Sequence, residues 1–183
     1  MPRLVVLTDR SQLSLGRCLR AQLAACRDAG LSHVVLRELD LQEPQREQLA
    51  ADLADLGLTV IAARRGLAAA AGLHLAAGQP AAPGSFGRSC HAPEEVARAA
   101  AEGARWATLS PYTTSGSKPG YGPPLPPGAY AGLPLPTFAL GGITPGNARA
   151  ARDSGAYGVA VMGAVMRAGD PGAVVAALLE AVA

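Results

Sequence analysis

Along this chain, short apolar runs alternate with stretches in which apolar residues return every three or four positions. Leu4–Thr8 is a run of β-favouring residues closed by Asp9-Arg10, and predicts a first strand. Leu15–Ala29 then carries Leu15, Leu19, Leu23 and Cys26 at helical spacing and stops at Gly30. The same alternation predicts strands at His33–Arg37, Leu58–Ala63, Gly72–Leu75, Ser85–Cys90, Arg105–Leu109, Pro136–Leu140 and Tyr157–Met162. Further helices are predicted over Pro44–Leu56, Pro93–Glu102, Thr144–Ser154 and Asp170–Val182. Three connections break the rhythm. Arg64–Ala71 allows two helical turns at best, Ala76–Gly84 has no helical period, and Ser110–Pro127 is a long loop rich in Gly, Pro, Ser and Thr. Long irregular loops in compact domains usually carry function.

Eight strands separated by helices imply a parallel sheet, and eight is the number that closes a barrel. An open doubly wound sheet is the competing architecture, but its Gly-x-Gly-x-x-Gly turn is missing after the first strand, where Thr8-Asp9-Arg10 holds no glycine. The expectation is therefore an α/β fold, a compact (β/α)₈ TIM barrel forming one domain over residues 1–183. That length is short for the class, so the outer helices after strands three, four and six are expected to be trimmed.

Composition narrows the function classes. A net charge of +2 gives no reason to expect nucleic acid or an anionic membrane surface. No uncharged apolar run is long enough to span a bilayer, and the first apolar run is too short for a secretion signal, so a cytoplasmic protein is expected. Three cysteines argue against a disulfide framework. Cys18 and Cys26, on one predicted helix, would lie about 12 Å apart along its axis and read as buried small hydrophobes. Cys90 sits beside His91, but no second ligand pair has metal spacing.

In a barrel, chemistry sits just after each strand. The strongest signal there is Gly141-Gly142, followed by Ile143-Thr144-Pro145 and a helix. Two glycines let the backbone close on a ligand, and the helix start turns N–H groups toward it, which suits phosphate. Met162-Gly163 after the last strand offers a second small turn of the same kind. In the long loop, hydroxyls including Ser117 precede Lys118, a combination suited to a phosphate or diphosphate.

Taken in order, Leu7-Thr8-Asp9-Arg10, Val35-Leu36-Arg37-Glu38, Gly72-Leu73-His74-Leu75, Gly87 through His91, Ser110-Pro111 through Gly120, Gly141-Gly142-Ile143 with Asn147, and Gly158 through Met162 resemble the thiamine phosphate synthase family and its relative, the TenI thiazole tautomerase. The resemblance implies that Arg37, Ser89 and Lys118, with Ser117 beside it, face a pyrimidine diphosphate. It also implies that Gly141-Gly142, with backbone near Met162-Gly163, holds a thiazole phosphate, and that the protein is a homo-oligomer. The chain departs from the family pattern twice: Leu39 replaces a diphosphate lysine, and the acids that hold Mg²⁺ are missing, with Ala62-Ala63 in place of Asn-Asp and no acid from Ala76 to Gly84, where Gln79 stands instead. With those oxygen ligands gone, no metal is expected, and Mg²⁺ would be needed only by a retained synthase activity. The expectation leans to a thiazole tautomerase, with synthase and a non-catalytic phosphate-binding regulator as alternatives. Tautomerisation needs a proton carrier, for which His91 and Tyr112 are the candidates, with His74 weighed against a packing role. Arg10, Arg37, Arg64 and Arg65 could form a guanidinium rim where the family uses metal. His33, at a strand start, belongs to the opposite face.

Overall fold

The computed structural model describes residues 1–14, 16–114 and 122–183. Its strands are β1 (Leu4–Leu7), β2 (His33–Leu36), β3 (Thr59–Ala63), β4 (Gly72–Leu75), β5 (Phe86–Cys90), β6 (Trp106–Leu109), β7 (Thr137–Leu140) and β8 (Gly158–Val161). All pair in parallel with their sequence neighbours, and Leu4–Val6 of β1 closes the ring on Val159–Val161 of β8. The helices are α1 (Leu19–Asp28), α2 (Glu43–Asp55), α3 (Pro93–Ala101), α4 (Pro145–Asp153), the short α5 (Gly163–Met166) and α6 (Pro171–Val182), with a 3₁₀ turn at Arg10–Gln12. This is the expected barrel. None of the described residues forms a helix between β3 and β4, between β4 and β5, or between β6 and β7, so the trimming falls where the weak periodicity put it. The region Arg64–Ala71 is bends and turns rather than helix. No described helix is long and apolar enough to cross a membrane.

Side chains alternate along each strand between two cores. Val5, Leu7, Val35, Ile61, Ala63, Trp106, Phe138 and Ala160 fill the barrel interior. Their strand neighbours Leu4, Val6, Val34, Leu36 and Val60 face the helices. Trp106 is the largest interior group: it stacks on His74 with ring centres 4.5 Å apart and meets Phe138 edge-on at 5.7 Å. The indole fits because its neighbour across the ladder is Gly87. A β-carbon there would lie 2.2–2.6 Å from the ring.

One cysteine differs from expectation. Helix α1 starts at Leu19 rather than Leu15, so Cys18 is the N-cap, exposed, with Sγ accepting from the Ala21 N–H. Cys26 and Cys90 are buried, and burial pushes both thiols up to about 12, so they stay protonated and serve as packing groups.

The missing helices leave strand-end carbonyls to be satisfied by other means. Arg46 of α2, 2% exposed, donates from Nη2 to the carbonyls of Leu36 and Ala63 at 3.3 and 2.9 Å, at the ends of β2 and β3. Arg88, on the outward side of β5 and 3% exposed, donates to the Ala76 and Gln79 carbonyls beyond β4 and pairs with Glu102 at 2.7 Å. These two guanidiniums stand in the outer layer where a full-length barrel carries helices.

The fit of Trp106 to Gly87 predicts a specific coupling. Gly87→Ala is expected to cost about 1–3 kcal/mol of stability through overpacking. In a Trp106→Leu background the same change should cost almost nothing, as urea unfolding of the four-protein cycle will show.

Candidate active site

A cavity of about 490 Å³ opens at the C-terminal ends of the strands. Arg37, Ser89, His91, Gly141, Gly142, Met162 and Gly163 all line it, as do His74, Arg64 and Arg167. Ser117 and Lys118 lie outside the described residues.

One end of the cavity is a glycine rim. Gly141 and Gly142 have φ of 98° and 68°, a left-handed backbone that disfavours any residue with a β-carbon. Space enforces the choice as well. A β-carbon on Gly142 would lie 2.4 Å from both Thr113 Cγ2 and the Thr114 carbonyl, because the loop after β6 runs directly over the turn. That loop is tied down by the Tyr112 N–H on the Leu140 carbonyl and the Thr113 N–H on the Gly141 carbonyl, at 2.8 and 3.1 Å. From the other side Asn147 donates to the Gly142 carbonyl at 2.9 Å and accepts from the Thr144 N–H at 2.8 Å, fixing the turn to the start of α4. Beside it, Gly163 leaves room for the Arg167 guanidinium, whose atoms stand 2.4–2.7 Å from where a β-carbon would be. The guanidinium is steered there by a hydrogen bond to the Gln12 side chain. Arg167 was not singled out from sequence. The signal was its place one helical turn after Gly163 in the short α5.

The cavity floor holds a histidine–serine pair. His74 Nε2 lies 3.1 Å from Ser89 Oγ and 3.5 Å from Thr108 Oγ1, and Nδ1 is buried with no partner among the described residues. Burial, reinforced by the Arg88 charge, pushes the imidazole down to about 3, so it is neutral at physiological pH. An orphaned N–H donor is rarer in proteins than an under-used acceptor. The favoured tautomer therefore donates from Nε2 to Ser89, which leaves the serine hydroxyl proton free to point into the cavity. His91 sits at the rim with Nδ1 3.2 Å from both the carbonyl and Oγ of Ser110. Tyr112, the other proposed proton carrier, does not line the cavity; its ring packs on the core and lies 6.1 Å from that of Tyr130. His33 is at the start of β2, on the far face.

The four rim arginines separate. Arg10 is committed to Glu38 at 2.9 Å and Asp40 at 2.6 Å and does not line the cavity, nor does exposed Arg65. Arg37 and Arg64 do line it. The Arg37 guanidinium is directed at the Met162 sulfur, a weak acceptor that does not neutralise its charge. Its field also reaches Asp9. Burial tends to raise that carboxyl, but hydrogen bonds from Ser11 and Gln12 together with Arg37 hold it below its usual value. Arg64 has φ of 64°, the left-handed region, which costs a non-glycine residue about 1–3 kcal/mol and concentrates at functional sites.

The Mg²⁺ that the family resemblance implies does not fit this lining. Mg²⁺ takes hard oxygen ligands, above all carboxylates. No Asp or Glu lines the cavity, and the carboxylates at neighbouring strand ends are engaged, Asp9 by Ser11 and Gln12 and Glu38 by Arg10. Among the described residues no cluster of three His, Cys, Asp or Glu could hold a metal ion.

The fold and cavity define a class: a closed (β/α)₈ barrel with a pocket at the C-terminal strand ends. Within that class, the sequence model for thiamine monophosphate synthase matches residues 4–165, and the chain belongs to that enzyme family. It is 37% identical to a provisionally named thiamine-phosphate synthase of Geobacter sulfurreducens, over 92% of this chain and 88% of the relative. It is also 33% identical to the thiamine-phosphate synthase of Prochlorococcus marinus MIT 9313, over 97% of this chain but only 56% of that longer protein. Among solved structures, thiamine phosphate pyrophosphorylase from Pyrococcus furiosus superposes with a TM-score of 0.81 at 22% identity, covering 98% of this chain and 95% of the other. The (S)-3-O-geranylgeranylglyceryl phosphate synthase of Thermoplasma acidophilum, in complex with sn-glycerol-1-phosphate, superposes at 0.73 with 13% identity, over 99% and 93% of the two chains. At these identities the structural likeness speaks for the fold alone.

The state of His74 predicts a pH dependence. Its folded pKa of about 3 lies below the ordinary 6.5, so the unfolded chain binds more protons between those values. Its contribution to stability is therefore complete above pH 6.5 and is lost as pH falls through that window, by about 1 kcal/mol per unit. Urea midpoints at pH 7, 6 and 5 should fall steeply for the native protein and less steeply for His74→Asn. Equal slopes would mean that His74 is not held neutral by the fold.

Proposed function

We propose that this chain carries out thiamine-phosphate synthase chemistry, coupling a pyrimidine methyl diphosphate to a thiazole phosphate with release of diphosphate. One observation carries the reading: a single cavity has a glycine rim suited to a phosphate and, on the β2–β3 side, a pair of arginines suited to a second anion. A reaction that joins a phosphate to a diphosphate substrate uses both ends, and two guanidiniums match a diphosphate better than the single carboxylate that an isomerising thiazole would bring. The relatives' names support the same choice over the tautomerase that sequence reasoning favoured.

In this reading the thiazole phosphate rests on Gly141-Gly142 and the Met162-Gly163 backbone, with Arg167 supplying charge. The pyrimidine diphosphate lies against Arg37 and Ser89, with Ser117 and Lys118 of the long loop as further donors. The thiazole nitrogen attacks the methylene carbon, the carbon–oxygen bond to diphosphate breaks, and the leaving group takes the electron pair. Fixed guanidinium charges and the Ser89 hydroxyl stabilise the charge gathering on that oxygen. The carboxylate-free lining is what favours the second reading, a thiazole tautomerase, in which His91 would carry the proton.

Chromatography of a reaction with both substrates decides between them. Thiamine phosphate and diphosphate should appear in equal amounts, and Arg37→Ala should lower kcat/KM about 100-fold. Conversion between thiazole carboxylate phosphate isomers without coupling would establish the tautomerase instead. Tight binding of thiazole phosphate with neither reaction would point to a regulator.

A further inference from the structure

Arg64 holds its left-handed backbone because its surroundings leave little choice. Its N–H donates to the His74 carbonyl at 2.8 Å, and the next N–H, of Arg65, turns back to the Ala63 carbonyl at 2.7 Å. The Arg64 carbonyl accepts from Gln79 Nε2 at 3.0 Å. Gln79 is itself fixed at both ends. Its Oε1 accepts from the Ala76 N–H at 2.8 Å, and its carbonyl accepts from the buried Arg88 guanidinium, which Glu102 anchors. On the other side of Arg64, Arg46 holds the carbonyl of Ala63 together with that of Leu36, the residue before Arg37. The backbones bearing Arg37 and Arg64 are thus pinned by one buried side chain, on adjacent strands whose register pairs Leu36 with Ala62.

Strain of this kind, held from both sides by hydrogen bonds, concentrates at functional sites. The exposed Arg64 side chain has no hydrogen-bond or ion-pair partner among the described residues, and Arg64 lines the same cavity as Arg37. Two guanidiniums offer forked donors matched to the oxygens of a phosphate chain. No carboxylate lines that cavity to recruit a cation between them and such a ligand.

We propose that Arg64 binds a diphosphate group directly, beside Arg37 and without a divalent cation, and that Gln79 is the positioning residue that holds Arg64 in its binding conformation. The assignment of the diphosphate to a substrate rests on the coupling reaction proposed above; the metal-free diphosphate site itself does not.

The test is calorimetric titration of the intact protein with inorganic pyrophosphate in EDTA, and separately with thiazole phosphate. The native protein should bind pyrophosphate in EDTA. Arg64→Ala should weaken that binding about 10–100-fold and Gln79→Leu about 5–10-fold, while both leave thiazole phosphate affinity within about twofold. Added to Arg64→Ala, the Gln79→Leu change should have almost no further effect, because Gln79 acts only through Arg64. Arg64→Gly, which accepts the positive φ freely, should lose pyrophosphate affinity while melting no lower than the native protein, separating binding from folding. Pyrophosphate binding that appears only with Mg²⁺, an unchanged affinity in Arg64→Ala, or additive losses in the double variant would overturn the proposal. If thiazole phosphate fails to bind while pyrophosphate behaves as described, the coupling reaction falls and the diphosphate site stands.

Discussion

The geometry of the cavity depends on how β2, β3 and β4 end. In a full-length barrel the helix after each strand covers its outer face and helps fix the loop at its tip. Here the chain has dispensed with the helices after β3 and β4, and buried side chains take over. Arg46 gathers the carbonyls of Leu36 and Ala63, Arg88 gathers those of Ala76 and Gln79, and Gln79 holds that of Arg64. Burying a guanidinium is costly unless its N–H groups are used. Burial lowers the pKa of Arg46, and the Nε atoms of both arginines have no hydrogen-bond partner among the described residues. A barrel that accepts this cost gains short, fixed strand ends, and from these ends Arg37 and Arg64 enter the cavity.

The opposite rim is built by different means. After β7 and β8 the helices are present, and the backbone does the work: glycines at 141, 142 and 163 remove side chains where the loop after β6, the Asn147 amide and the Arg167 guanidinium approach. The cavity therefore has an end where backbone closes on a ligand and an end where side-chain charge reaches it. In the floor, the neutral His74 is stacked on Trp106 and lies 3.1 Å from Ser89. Such a division suits two anionic substrates brought nose to tail, their charged groups far apart and their reacting atoms between.

Much of the fold was legible because periodicity is written locally. Each strand was found within a residue or two, and the stretches with poor helical spacing proved to be the connections without helices. The cavity lining was legible where backbone demands a residue type, as at Gly141-Gly142, or where a strand end exposes one, as at Arg37, Ser89 and His91. It was not legible where side-chain direction decides. Ser110, Pro111 and Thr114 reach the cavity from the loop that turns Tyr112 toward Tyr130. Cys18 lost its expected burial to a helix start four residues late. Arg46 and Arg88 act through contacts made by distant segments, which no spacing rule reveals, and Gln79 reads from sequence only as a missing acid.

In the proposed coupling reaction, fixed guanidinium charge held by the strand-end clamps does what a metal ion would otherwise do. That role is tested most directly by the initial rate of thiamine phosphate formation as free Mg²⁺ is varied from EDTA-chelated to millimolar levels. The rate is expected to persist in EDTA and to change little as the cation is added. A rate that vanishes in EDTA and rises with Mg²⁺ to saturation would contradict it.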